Sequence, residues 1–154
     1  MKNKRVVLTA VVLIAVMLVA MFAFTACTDD KGKGDVTVVI ARDGDYKEYY
    51  VDASKVEGDG ALAALEYLKD NKGLNLVTES GSYGAYITEI GDLKPDSSKN
   101  EFISIYTSVE KDFDVSEYAT TVKYDGRTLT SSGLGISSMS TEEDAIIYFE
   151  IQSW

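Results

Sequence analysis

The only cysteine of the chain, Cys27, directly follows an apolar run, residues 6–26, that contains no charged side chain. The run comes after a basic N-terminus (KNKR) and closes on Thr25 and Ala26. A basic start, an apolar middle and small residues before the cleavage point are typical of a secretory signal. We therefore predict cleavage between Ala26 and Cys27, which leaves residues 27–154 to fold without an internal disulfide.

Small residues before a lone cysteine are also typical of a bacterial lipoprotein, in which the Cys27 thiol carries the lipid. On this interpretation residues 1–26 are the lipoprotein signal peptide, and residues 27–35 are the lipidated cysteine and a polar tether. The protein would be anchored to the cell membrane at its extracytoplasmic face. The alternative is an uncleaved signal anchor, because about 20 apolar residues can also span a bilayer.

The exported part of the chain is strongly acidic. The leader carries three of the 15 basic residues and none of the 25 acidic ones, so the remainder has a formal charge of −13. Such a surface repels nucleic acid, and we expect no nucleic-acid partner. The sequence also contains no histidine, which removes the commonest general base and metal ligand. With Cys27 committed to lipid, we expect neither an enzyme nor a cofactor.

Most of the exported part has the period-two pattern of β-strands. Two hairpins are predicted, one turning at Asp43-Gly44 and one at Asp125-Gly126, because glycine accepts the positive φ of a tight type I′ turn. The remaining candidate strands are residues 74–78, 85–90, 102–109 and 145–151.

A single segment has helical spacing. Ala61, Leu62, Leu65 and Leu68 form an apolar stripe between Asp59, a plausible N-cap, and Gly73, a plausible terminator. We predict a helix over residues 60–72. One hairpin, one crossing helix and further strands predict a single α+β domain over residues 36–154, with a mixed sheet packed on one main helix.

Three acidic groups could in principle approach a hard cation. They are Asp43 with Asp45, Glu110 with Asp112 and Asp114, and Glu142 with Glu143 and Asp144. None has the spacing of a calcium-binding loop, so we interpret them as a turn, a loop and a strand entry, and predict no metal site.

Tyrosine is unusually frequent, with ten residues, all in the exported part. Tyrosine offers a rigid ring with a polar tip, so an exposed cluster would suit a planar ligand or a protein partner. Alternatively, these residues fill half-buried strand positions, for which tyrosine has a high propensity. The seven on or beside predicted strands are Tyr46, Tyr50, Tyr86, Tyr106, Tyr118, Tyr124 and Tyr148.

Residues 36–152 resemble the transcobalamin-like C-terminal domain family, a domain of unknown function found in bacterial lipoproteins. The resemblance is carried by the opening hairpin (36–53), GDGALAALEYL (58–68), GAYITEIG (84–91), and GLGI (133–136) followed by EDAIIYFE (143–150). Family members usually carry a tryptophan-rich strand and an Asn-Gly turn, where this chain has FISIY (102–106) and YDG (124–126).

The resemblance implies a β-grasp-like sheet with one crossing helix. It also implies a corrinoid as a possible ligand, since in the vitamin carriers the related domain forms one wall of a cobalamin site. Those carriers enclose the ligand with a second, helical domain that residues 36–154 do not contain. We therefore predict a non-enzymatic binding module for a corrinoid or another small nutrient. The alternative is a structural or adhesive domain that contacts proteins at the cell surface.

Overall fold

The computed structural model describes residues 31–56, 60–82 and 84–154. The predicted signal peptide, its cleavage site at Ala26 and the lipidation site at Cys27 lie outside these residues. Within the described ranges, no helix is long and apolar enough to cross a membrane.

The described chain contains eight strands, one α-helix and three short 3-10 turns. The strands are β1 (Val36–Arg42), β2 (Asp45–Val51), β3 (Leu76–Gly81), β4 (Gly84–Ile90), β5 (Glu101–Thr107), β6 (Thr121–Tyr124), β7 (Arg127–Ser131) and β8 (Ile146–Ser153). The helix is α1 (Gly60–Lys72), and the 3-10 turns are Ala53–Lys55, Ser97–Lys99 and Glu110–Asp112.

Six of the strands form one curled, mixed sheet in the order β2-β1-β8-β5-β7-β6. Strands β1 and β8 pair in parallel, and the other neighbours pair antiparallel. The predicted single α+β domain with a mixed sheet and one main helix is confirmed. The β-grasp arrangement stays a prediction.

Both predicted hairpin turns are confirmed. Strands β1 and β2 are joined by Asp43 and Gly44, with φ angles of 53° and 89°, and β6 and β7 by Asp125 and Gly126, with φ angles of 47° and 72°. Positive φ at both central residues is what a type I′ turn requires, and this turn matches the natural twist of the two strands.

The helix has the predicted bounds, and its apolar stripe faces the sheet. Ala61, Leu65 and Leu68 are fully buried. Gly60 has a φ of +85°, and a Cβ there would lie 2.8 Å from the Met139 carbonyl oxygen, so the start of the helix requires glycine. The proposed N-cap Asp59 lies outside the described residues.

The helix packs on one face of the six-stranded sheet, and the main core lies between them. Val38 and Ile40 of β1 and Ile147 and Phe149 of β8 point into this core, where α1 contributes Leu65. In the candidate strand predicted over residues 145–151, the alternate residues Ala145, Ile147, Phe149 and Ile151 share this face.

One part of the predicted strand layout was incomplete. Strands β3 and β4 form a separate two-stranded ribbon, and β3 begins at Leu76 instead of residue 74. Leu74 is buried beneath the end of the helix, where its N–H donates to the Leu68 carbonyl at 3.2 Å. The first apolar residue of the segment therefore closes the helix and does not start the strand.

Candidate functional site

The strand β1 divides its side chains between two faces of the sheet. Val36, Val38 and Ile40 face the helix, whereas Val39 and Ala41 belong to a second apolar cluster on the other face. Because side chains alternate along a strand, Thr37 points to this second face as well.

The second face is the concave side of the curled sheet. Its buried cluster contains Val39, Ala41, Tyr106, Leu129, Ile146 and Tyr148, with Val122 and Tyr124 packed against it. These residues come from five strands, β1, β5, β6, β7 and β8. The curl is thus stabilised by an apolar core of its own on this face.

Four tyrosine rings meet on this concave face. The Tyr46 ring of β2 lies 5.6 Å from that of Tyr124 on β6, edge to face, and 6.2 Å from that of Tyr148 on β8. The Tyr148 ring lies 6.0 Å from Tyr124 and 5.9 Å from Tyr106. These distances are in the range in which aromatic pairs attract each other. The cluster therefore joins both edge strands to the centre of the sheet.

A cleft of about 570 Å³ opens between the two edge strands beside this cluster. A volume of this size is typical of small-molecule sites. The cleft is lined by Lys31, Thr37, Tyr46, Glu48, Tyr50, Lys123, Tyr124, Asp125 and Gly126. Tyr46 at its rim is 53% exposed.

Thr37 is a lining residue of the cleft with an unusual property. It is only 2% exposed, and its hydroxyl has no hydrogen-bond partner among the residues that the structure describes. A buried hydroxyl without a partner is unfavourable, typically by about 1–3 kcal/mol. A ligand in the cleft would supply the missing bond if the side chains that cover this oxygen moved aside.

Glu48 organises the polar side of the cleft. Its carboxylate accepts hydrogen bonds from the Tyr124 hydroxyl and from the Tyr50 hydroxyl. These two bonds, Tyr124 first, lower the pKa of Glu48 below its ordinary value. The bond to Glu48 in turn raises the pKa of Tyr50 to about 12. At neutral pH the site therefore holds one ionised carboxylate between two neutral phenols.

A second polar network fixes the deeper tyrosines. The Gln152 side-chain amide donates to the Tyr106 hydroxyl at 2.6 Å and to a Glu150 carboxylate oxygen at 3.0 Å. The Tyr148 hydroxyl donates to the other Glu150 oxygen at 3.3 Å. Burial, above all, raises the pKa of both Tyr106 and Tyr148. These two tyrosines are neutral structural members of the cluster.

The structure divides the seven tyrosines singled out in the sequence. Tyr46, Tyr50 and Tyr124 line the cleft, and Tyr106 and Tyr148 are buried beneath it. Tyr86 on β4 and Tyr118 in the loop before β6 are exposed elsewhere. Both interpretations, strand filling and surface cluster, therefore hold for different members of the set.

The acidic groups of the sequence do not converge. In the described part of the chain, no three histidine, cysteine, aspartate or glutamate side chains are placed to hold a metal ion. Asp112 is buried, and its carboxylate accepts from the Ser140 N–H at 2.6 Å and from the Ser140 hydroxyl at 3.3 Å. These two bonds connect the Glu110–Asp112 turn to the loop that contains Ser140.

Sequence analysis missed Glu48 and Thr37. Glu48 lies between Tyr46 and Tyr50 at a spacing of two, so its position on the tyrosine face could have been inferred from strand alternation. The sequence did not indicate that the Thr37 side chain is buried, because its burial depends on neighbours from other strands.

Neither a family model nor a curated protein matches this sequence. Among solved structures, the fold is similar to that of a candidate metal-binding protein from Ruminococcus gnavus, with a TM-score of 0.53 and 15% identity over 79% of this chain and 99% of that one. Haptocorrin in complex with Cbi matches with a TM-score of 0.46 and 15% identity, over 82% of this chain and 28% of haptocorrin. The likeness to the Ruminococcus gnavus protein indicates a similar fold.

Proposed function

We propose that this protein is a lipid-anchored, extracytoplasmic binding module that holds a small nutrient in the cleft between β2 and β6. The observation that carries the proposal is the combination of an exposed tyrosine ring, an ionised carboxylate and an unpaired buried hydroxyl in one concave site. Concave sites with a few convergent polar groups are the usual places for small ligands. Cys27 would tether the domain to the membrane through residues 28–35.

The module is proposed to be non-enzymatic. A general acid or base works best with a pKa near the ambient pH, whereas hydrogen bonds hold the pKa of Glu48 below its ordinary value. The tyrosines beside it have raised pKa values, which removes phenolate nucleophiles at neutral pH. This arrangement supports binding better than proton transfer.

A corrinoid is the ligand that the family resemblance implies, in a β-grasp-like domain that forms one wall of the site. The cleft is open, so a corrinoid held here alone would keep much of its surface in water. We therefore expect weak binding of cobinamide or cobalamin unless a partner protein supplies a second wall.

A protein-contacting role is the second candidate, and the ribbon of β3 and β4 supports it. Val77 on β3 and Tyr86 on β4 are 42% and 59% exposed. An exposed aromatic and an exposed aliphatic side chain on a ribbon separate from the main sheet are suited to an adhesive or structural contact.

Two matched variants separate these functions. Tyr46→Ala removes an exposed ring from the cleft, and Tyr86→Ala removes an equally exposed ring from the ribbon. The full chain, purified in a zwitterionic detergent, is tested by thermal shift against corrinoids, oligosaccharides, nucleosides and short peptides. A ligand that binds only the folded state raises the Tm, and the rise grows with the logarithm of the ligand concentration once that concentration exceeds the Kd.

We expect at least one class to raise the Tm of the wild type and of Tyr86→Ala but not of Tyr46→Ala. If no class raises the Tm, or if Tyr46→Ala responds like the wild type, the cleft is not the binding site. Loss of cell-surface adhesion in Tyr86→Ala alone would favour the protein-contacting role.

A further inference from the structure

Resting on the proposed binding function, we propose that the cleft between β2 and β6 takes a neutral, hydroxyl-rich ligand, a saccharide. The first argument is charge. Two lysines, Lys31 and Lys123, and two acidic residues, Glu48 and Asp125, line the cleft, so its formal charges balance. In a protein with a formal charge of −10, a cleft with no net charge favours neither a cation nor an anion.

The second argument is the aromatic surface. Tyr46 and Tyr124 stand edge to face at 5.6 Å, and more than half of the Tyr46 side chain is exposed. A tyrosine ring offers a flat apolar face with a polar tip. A pyranose ring has the complementary character, with a face of C–H groups and a rim of hydroxyls, so it can stack on Tyr46 while its hydroxyls reach the polar wall.

The third argument is the balance of hydrogen-bond donors and acceptors. The hydroxyl protons of Tyr50 and Tyr124 are both committed to Glu48. A phenol oxygen that has donated its proton keeps lone pairs that can only accept. The wall formed by these three side chains therefore presents acceptors, and the ligand must bring donors, which sugar hydroxyls do.

The fourth argument is the floor of the cleft. The Thr37 hydroxyl is a donor and an acceptor, and it lacks a partner among the described residues. A ligand hydroxyl is the smallest organic group that can serve both functions at once. Once the side chains that cover it move aside for the ligand, a bond to Thr37 would offset the desolvation of that buried oxygen, and this gain is absent in the free protein.

The test is calorimetry of the full chain in a zwitterionic detergent without sugar headgroups. The probes are cellotriose, maltotriose and tri-N-acetylchitotriose, at up to millimolar concentration. Chitosan trimer, which is cationic, and a trigalacturonate, which is anionic, are the charged counterparts. Tri-N-acetylchitotriose carries acetamido groups, as a wall-type glycan does, whereas cellotriose and maltotriose do not. Comparing their affinities therefore distinguishes a wall-type glycan from a free oligosaccharide of the nutrient type.

We expect a neutral trisaccharide to bind and both charged counterparts to bind at least about tenfold more weakly, a difference of about 1.4 kcal/mol. Tyr46→Ala should abolish the heat, and Tyr86→Ala should leave it unchanged. Thr37→Val should weaken binding about tenfold while its Tm without ligand stays equal or rises, because it replaces an unpaired hydroxyl by a methyl group of similar shape.

The proposal is overturned if no neutral trisaccharide binds, if a charged counterpart binds more tightly, or if Tyr46→Ala and Thr37→Val bind like the wild type. A Tyr46-dependent thermal shift with a corrinoid or another class, but with none of the saccharides, would overturn the saccharide alone and leave the proposed binding function standing. Circular dichroism of each variant confirms that it is folded.

Discussion

The Tyr124 hydroxyl on β6 donates a hydrogen bond to the Glu48 carboxylate on β2, although these two strands are the opposite edges of the six-stranded sheet. The residues are 76 positions apart in the chain. The bond can form only because the sheet curls until its edges approach each other. The same curl creates the cleft and its tyrosine walls.

Breaking this contact should open the edges of the sheet. We expect Glu48→Gln and Tyr124→Phe each to destabilise the fold, and the double variant to show a coupling energy of about 0.5–1.5 kcal/mol. Urea denaturation of the four proteins measures the coupling. Tyr118→Phe, at an exposed tyrosine of the loop before β6 that is not among the hydroxyl donors to Glu48 in the described structure, should show none with Glu48→Gln. A coupling energy near zero between Glu48 and Tyr124 would mean that their hydrogen bond does not help to hold the edge strands β2 and β6 together.

The stability of the protein should fall in the alkaline range because of Tyr50. Its hydrogen bond to Glu48 raises its pKa from 10.0 to about 12. A group with a raised pKa in the folded state stabilises that state below the unfolded pKa, and this contribution disappears as the pH rises through the folded value. The contribution of Tyr50 is therefore complete below pH 10 and is lost by about pH 12.

The measurement compares the wild type with Tyr50→Phe. The stability difference between them should shrink across that pH window, and the phenolate absorbance of the wild type should contain one late step that Tyr50→Phe lacks. A difference that is constant across the window would contradict the bond between Tyr50 and Glu48.

Leu65 should be a major contributor to the stability of the main core. It is fully buried in the middle of α1, against the sheet. We expect Leu65→Ala to lower the free energy of unfolding by about 2–5 kcal/mol, because it leaves a cavity. The neighbouring exposed residue supplies the control: Glu66→Ala should stay within about 0.5 kcal/mol of the wild type. Equal effects would mean that the helix packs on another face.

Asp112 should also matter for stability in spite of its charge. Its carboxylate is buried and satisfies both polar groups of Ser140. Asp112→Ala leaves the Ser140 N–H without that partner, and we expect a loss of about 1–3 kcal/mol by thermal or urea unfolding. Glu110→Ala, at an exposed residue of the same 3-10 turn, should have little effect. A stable Asp112→Ala variant would show that the loop needs no anchor.

Cys27 should determine where the protein is found. Cys27→Ser removes the thiol that would accept the lipid, so we expect the protein to lose fatty-acid label and to be either released or left unprocessed. Metabolic labelling and membrane fractionation measure both, and Thr28→Ser serves as the adjacent control with the thiol intact. Membrane retention of Cys27→Ser without any label in the wild type would favour the uncleaved signal anchor.

Local sequence patterns were sufficient for most of the elements. Asp43-Gly44 and Asp125-Gly126 turn as predicted because the positive φ of these turns is a property of the residues themselves. The helix ends at Lys72 for the same reason, because the next residue, Gly73, has a φ of +68°. The separation of the β3–β4 ribbon from the main sheet was not predictable, because strand pairing depends on partners distant in the chain.

Sequence patterns alone predicted the hairpins at Asp43-Gly44 and Asp125-Gly126 and the helix over residues 60–72. They could not determine which tyrosines are buried, since that depends on the curl of the sheet. Only the tertiary structure placed Tyr124 beside Tyr46 and Glu48, and left the Thr37 hydroxyl without a partner among the described residues. The physical reason is that backbone geometry is local, whereas burial and hydrogen bonding across a curled sheet depend on contacts between strands many residues apart.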